Sequence, residues 1–338
     1  TAVAGIHVFV NEELIASRTG DTACVSDTFF LDTDSLPEGI HSLKVKVTDS
    51  SLFAHTSERQ YQITVDRTPP VLTLMSKITS ALQGDTLPLF IQADEALATL
   101  QGEVFKKKII FFPHPLHRDY FRGLVGIHVL QRPQSVVLVL QASDLAGNEV
   151  AIKITISVNA KKFHQEQITL TPQKAGLLTD YTAIRNDYKK INAAYSIVSS
   201  YQLWQDAFLR PAAGRVSSPF GEQRVFNKTL HSIHRGIDIA NKAGTPIHAA
   251  NYGIVVLAEK LHLYGNTVII DHGQGVLTMY AHMQKLAVTK NSRVAKGQLI
   301  GFMGDTGLTT GAHLHWEMRV NGLAVNPGQW METAFAYP

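Results

Sequence analysis

Ala312-His313-Leu314-His315-Trp316-Glu317 is the stretch from which the rest of the chain becomes readable. Leu314 and Trp316 alternate with His313 and His315, the period-two pattern of a strand with one face buried. Both imidazoles then stand on the same face. Imidazole is the commonest metal ligand and a proton carrier near neutral pH. Two solvent-facing histidines on a sheet would give the same pattern, so the pair gains meaning only from ligands elsewhere in the chain.

Such ligands lie upstream. From Arg210 onward the sequence is β-rich, with strand candidates at 254–257, 267–270, 277–280, 299–303 and 314–320, most separated by glycine-containing turns. Ahead of them stands His234-Arg235-Gly236-Ile237-Asp238. In extended backbone His234, Gly236 and Asp238 share a face while Ile237 and Ile239 point to the core. The side-chain-free Gly236 leaves room for an ion between the two potential ligands. His282 follows a strand ending in Tyr280. Two histidines and an aspartate make three N/O ligands for zinc, and three protein ligands with a fourth position open is the catalytic pattern. His-Glu-x-x-His is absent, which excludes the helix-based zinc proteases. Spacing alone leaves open whether His313 or His315 holds the metal.

The ordered text of residues 211–330 closely resembles the LytM-type, lysostaphin-like M23 zinc peptidases. The matching motifs are Gly214-Arg215-Val216-Ser217-Ser218-Pro219-Phe220-Gly221, His234 to Asp238, Gly244-Thr245-Pro246, Tyr264-Gly265-Asn266, Asp271-His272-Gly273, Tyr280-Ala281-His282, Lys296-Gly297-Gln298, and Gly307 and Gly311 through His315. The resemblance implies one Zn2+ per chain held by His234, Asp238 and His315, with His282 and His313 as non-ligand catalytic histidines. It implies a zinc-dependent peptidoglycan endopeptidase that hydrolyses cell-wall peptide cross-links, D-Ala–meso-diaminopimelate rather than pentaglycine. Two alternatives remain: a catalytically silent LytM-like regulator of another wall hydrolase, and a secreted protease of other proteins. Silent members typically lack ligands, and here the set is intact. Arg224, Asn227 and His231, just before the first ligand, are candidate substrate-binding residues; the alternative for Arg224 and Asn227 is that they loop back over the site. His248, His262 and His272 are expected to be structural or surface residues.

The chain has 338 residues, enough for several domains. Residues 1–66 read as short strands at roughly ten-residue spacing, among them 5–10, 28–31, 42–48 and 60–65. Asp66-Arg67-Thr68-Pro69-Pro70 forms a stiff joint, and strands resume at 71–75, 86–93, 135–142 and 151–158. The joint and the Asp144-Leu145-Ala146-Gly147-Asn148 turn resemble bacterial immunoglobulin-like repeats, which implies β-sandwich modules at 1–66 and 67–159. His114 and His117 fall in an elaborated hairpin and read as surface loop histidines. Residues 160–209 read as a helical linker: Leu177, Tyr181, Ile184, Tyr188 and Ile191 recur at helical spacing, and a second helical stretch is expected at about 193–208. The tyrosines there are expected to pack against a neighbouring domain. The expected architecture is therefore mainly β, with two Ig-like modules, a helical linker and an antiparallel-sheet peptidase domain at 210–338.

Charge and composition bound the partners. The formal net charge is +3, and the basic excess falls in the C-terminal third, which suits an anionic polymer such as the cell wall. No basic run is interleaved with aromatics, so nucleic acid is not expected as a partner. The single cysteine, Cys24, excludes an internal disulfide and a Cys-based zinc site, and it reads as a small buried apolar residue. The expected location is the periplasm or cell envelope, or alternatively outside the cell. A membrane anchor beyond this sequence, or other envelope proteins, are expected contacts of the N-terminal modules.

Overall fold

The computed structural model describes residues 2–22, 27–169, 171–226 and 230–337. Cys24 lies outside the described residues. The chain is mainly β, as the sequence led us to expect, and divides into two compact units.

The first unit comprises Thr1–Val71 with Glu95–Thr99 and Ala142–Val150. Its strands Glu13–Thr22, Val3–Val10, Gly39–Asp49 and Thr56–Val65 form one antiparallel sheet in that order. Asn11 and Glu12 both adopt positive φ in the first turn, the conformation that matches strand twist in a two-residue hairpin. Residues 28–31, expected as a strand, carry none. Among the described residues this module is a single sheet rather than two facing ones. The expected turn after Asp144 is present. The Asp144 carboxylate accepts from the Gly147 and Asn148 backbone N–H groups at 2.7 and 2.9 Å. Asn148 Nδ2 also donates to the Asp66 carbonyl.

The second unit holds Leu72–Asp94, Leu100–Gln141 and Ala151–Pro338. Its C-terminal part is built on a ten-stranded antiparallel sheet whose main path runs Arg215–Ser218, Gly236–Ala240, His313–Val320, Val276–Leu286, Gly265–Asp271, Gly253–Leu261 and Arg293–Val294. Ile237, Ile239, Leu314, Trp316, Met318 and Val320 face one core. Alternation then sends His313, His315, Glu317 and Arg319 to the other face. Asp238 stands directly opposite His315, and Gly236 opposite Glu317. A Cβ on Gly236 would lie 2.4 Å from the Trp316 carbonyl oxygen. Glycine is therefore required here for the two strands to approach.

The linker differs from its sequence reading. The helix spans Tyr181–Tyr195, started by the Asp180 carboxylate accepting from Ala183 N–H. It buries Asp187, Ile191, Ala194 and Tyr195, while Tyr181 is exposed and Tyr188 lines a groove. The second helix expected at about 193–208 does not form. Trp204 and Phe208 are instead core residues packed edge-on against Trp330. The extended backbone finds its partners between segments: Gln274 N–H donates to Ser199, Leu203 N–H to His272, and Phe208 N–H to Trp330. Tertiary burial thus overrides the helical spacing. Residues 165–168, also in the linker, form a strand parallel to Gln223–Phe226.

Within the second unit the preceding β module is joined to this sheet through buried groups. Arg122 is fully buried, sandwiched between the rings of Trp204 and Tyr337. Its guanidinium donates to the Phe335 carbonyl at 2.7 Å, to Gln202 at 2.8 Å and to Gln274. Gln329 pairs with both backbone groups of Thr86.

Candidate metal centre

His234, Asp238 and His315 are all buried, and their ligand atoms lie within 4.8 Å of one another. Asp238 Oδ1 is 3.0 Å from His234 Nε2 and 2.8 Å from His315 Nδ1, and those two nitrogens are 3.0 Å apart. The outward nitrogens are each committed. His234 Nδ1 is 2.9 Å from the Pro219 carbonyl oxygen, which can only accept, so Nδ1 carries the proton and Nε2 is bare. His315 Nε2 donates to Glu317 Oε1 at 3.0 Å, leaving Nδ1 bare. Two bare nitrogens and a carboxylate oxygen therefore converge on one point with no donor among them. That donor set fits a divalent cation with N/O preference such as zinc. Burial opposes a charge on His315, but hydrogen bonds to Asp238 and Glu317 push its pKa up to about 9.

Arg224, a candidate for substrate contact, turns back onto the site. Its guanidinium donates to Asp238 Oδ2 at 2.5 Å and lies 3.4 Å from Glu222. Oδ1 is thereby left as the free oxygen of Asp238. Asn227 lies outside the described residues, as does the side chain of His231, so neither is placed at the site.

His282 and His313 stand beside the three, with ring centroids 4.9 Å apart. His282 sits where the pairing of Val276–Leu286 with Gly265–Asp271 shifts register, and its φ of 62° is left-handed. This bulge costs on the order of 1 kcal/mol and is held by His282 N–H donating to the Tyr264 carbonyl. The His282 and His313 Nδ1–H groups donate to the carbonyls of Thr306 and Gly311 at 2.8 and 2.9 Å, leaving both Nε2 atoms bare. Burial lowers both pKa values, that of His282 well below the usual histidine range with help from the neighbouring His313 and His315. Both rings are neutral at pH 7.

These residues line one groove of about 1430 Å3, which also takes in Tyr188, Arg235 and Glu166. Burial and a hydrogen bond to Glu222 raise the Glu166 carboxyl. Sequence reasoning missed Glu166, Glu222, Glu317, Arg319 and Tyr195. The first two sit on strands or turns with no distinguishing spacing. Glu317 and Arg319 were legible, because the alternation through His313 and His315 continues to them. Of the three structural histidines, His272 is fully buried, donating from Nδ1 to the Tyr252 carbonyl with the Thr278 hydroxyl 2.7 Å from Nε2.

Residues 232–327 match the family model described as Peptidase family M23. The chain is 44% identical over 115 residues to the DD-carboxypeptidase/endopeptidase Mpg of Neisseria meningitidis and Neisseria gonorrhoeae, covering 33% of this chain and 26% of the relative. It is 39% identical over 150 residues to the peptidoglycan DD-endopeptidase ShyC of Vibrio cholerae, covering 44% of this chain and 34% of the relative. The chain thus spans about a quarter to a third of the length of these curated relatives. A crystal structure from Pseudomonas aeruginosa described as a peptidase M23 superposes with a TM-score of 0.55 at 26% identity, covering 74% of this chain and 94% of that one.

Proposed function

Taking as premise that residues 232–327 form a peptidase family M23 domain, we propose that the chain is a zinc-dependent peptidoglycan endopeptidase of the cell envelope. The observation that carries this reading is the convergence of His234 Nε2, Asp238 Oδ1 and His315 Nδ1, each imidazole tied behind by an acceptor. We assign these three as the zinc ligands, His282 and His313 as the catalytic histidines, and 210–338 as the catalytic region following the 160–209 linker. A zinc ion held by these three residues would supply Lewis acidity for activating water and polarising the scissile carbonyl.

The protein's own groups handle the protons. His282 and His313 both present a bare Nε2, so each is a base in the resting chain and neither is a donor there. One of them takes the proton of the attacking water. It then becomes an imidazolium, able to hydrogen-bond the tetrahedral oxyanion and to return the proton to the leaving amine as the C–N bond breaks. Their low pKa values favour prompt return of that proton. The names of the Neisseria and Vibrio relatives, DD-carboxypeptidase/endopeptidase and DD-endopeptidase, support a bond between D-configured centres, and the D-Ala–meso-diaminopimelate cross-link is the bond of that class we propose. The intact ligand set favours this reading over a metal-free regulator.

The test is digestion of purified sacculi. The protein is expected to contain one zinc per chain and to release soluble muropeptides, with release abolished by a chelator and restored by zinc. Mass spectrometry of the fragments identifies the bond. Zinc-free protein with no release would overturn the proposal.

A further inference from the structure

Glu317 is 1% exposed, and a carboxylate so buried must have its charge compensated. Its two oxygens are divided between tasks. Oε1 accepts from His315 Nε2 at 3.0 Å. Oε2 accepts from Arg319 Nε and Nη2 at 2.9 and 2.5 Å and from the Tyr195 hydroxyl at 3.2 Å. The Arg319 guanidinium also lies over the Tyr195 ring, 4.4 Å from its centroid. Tyr195 thus touches both members of the ion pair behind the metal ligand. It ends the Tyr181–Tyr195 helix, which lies outside residues 232–327. Its own place is fixed by packing with Leu257, Ile269, Leu277 and Met279 of the sheet.

From this geometry we infer that Tyr195 is a positioning residue for the metal centre, acting through Glu317 on His315, so that the catalytic unit begins in the linker helix. The inference rests on His315 being a zinc ligand. Through Glu317 the imidazole is held in the Nε2–H tautomer with Nδ1 aimed at the metal, and the carboxylate behind it raises its basicity. Without the Tyr195 hydroxyl, Oε2 keeps only Arg319 as a partner. The carboxylate is then free to swing toward the guanidinium and loosen its hold on Nε2.

The experiment compares the full chain with its Tyr195→Phe, Glu317→Gln and Ile191→Val variants. Zinc dissociation constants are measured by chelator competition, the Co2+-substituted proteins by visible absorption, and the metal-free chains by thermal melting. Glu317→Gln is expected to weaken zinc binding by about 10- to 100-fold. Tyr195→Phe is expected to weaken it by roughly 3- to 10-fold, within the same type of effect, and to shift the Co2+ bands. Ile191→Val, in the same helix core, is expected to lower only the melting temperature. Unchanged zinc affinity and Co2+ spectrum in Tyr195→Phe would overturn the inference and leave the metal assignment standing. Failure of the unmodified chain to take up zinc would overturn both.

Discussion

His313 and His315 share a strand face, but their ring nitrogens are tied to different partners. His315 leans on a buried carboxylate, whereas His313 leans on a loop carbonyl and keeps its Nε2 3.7 Å from Asp238. His315→Ala is therefore expected to lose zinc and activity together, and His313→Ala to keep stoichiometric zinc while losing activity; metal analysis of both decides. Arg224 makes a second test. As a brace on Asp238, Arg224→Gln should weaken zinc binding by on the order of tenfold, and Arg224→Lys should restore only part of it, since an ammonium lacks the planar fork. A substrate-contact role would instead raise KM at unchanged zinc affinity. His272 gives a pH prediction of the opposite kind. Burial lowers it to about 4, below the roughly 6.5 of an unfolded chain, so the unfolded state binds the extra proton between those values. Stability is then full above pH 6.5 and falls by on the order of 3 kcal/mol as the pH drops to 4. Thermal melts of wild type and His272→Asn should show a shallower slope for the variant across that window.

At the scale of elements, the pairing of Gly236–Ala240 with His313–Val320 sets the site, and it depends on one missing Cβ. Gly236→Ala would drive a methyl against the Trp316 carbonyl. It is expected to cost about 1–3 kcal/mol, read as a lower melting temperature. The facing of each partner was legible in the sequence because alternation and the His-x-Gly-x-Asp spacing are local patterns, whereas the pairing itself joins segments far apart in the chain. In the sequence Gly236 reads as leaving room between two potential ligands; what the structure displays is the space it leaves for backbone approach. The positive φ of His282 was not legible, because a bulge arises from the mismatch of two strands and leaves no local spacing. The stretch 196–209 misled for the complementary reason. Trp204 and Phe208 fall at helical intervals, yet each is drawn individually into the Trp330 core. In the sequence Arg224 reads as contacting substrate or looping back over the site; in the structure it donates to Asp238, a partner that sequence distance does not reveal.

For the molecule as a whole, the packed unit does not end where the family match ends. Arg122, Thr86 and Tyr195 all lie before residue 210 and all bond to groups after it. A fragment of residues 72–338 is expected to melt cooperatively and bind zinc. A 210–338 fragment lacks Arg122, leaving the Phe335 carbonyl and Gln274 without its guanidinium, and lacks the Tyr195 hydroxyl on Glu317, losses of about 1–3 kcal/mol each. Differential scanning calorimetry should find it melting far lower or aggregating.

The strand His313–Val320 has a consequence in time. His315 and Asp238 are 77 residues apart in the chain yet adjacent in the sheet. Closing so long a loop waits on contacts distant in sequence. During synthesis, which delivers the N-terminal residues first, His234 and Asp238 emerge well before the histidine that completes their set. A nascent chain that has not emerged past His315 therefore lacks the finished His234–Asp238–His315 cluster, which closes only when the strand His313–Val320 is threaded between Gly236–Ala240 and Val276–Leu286.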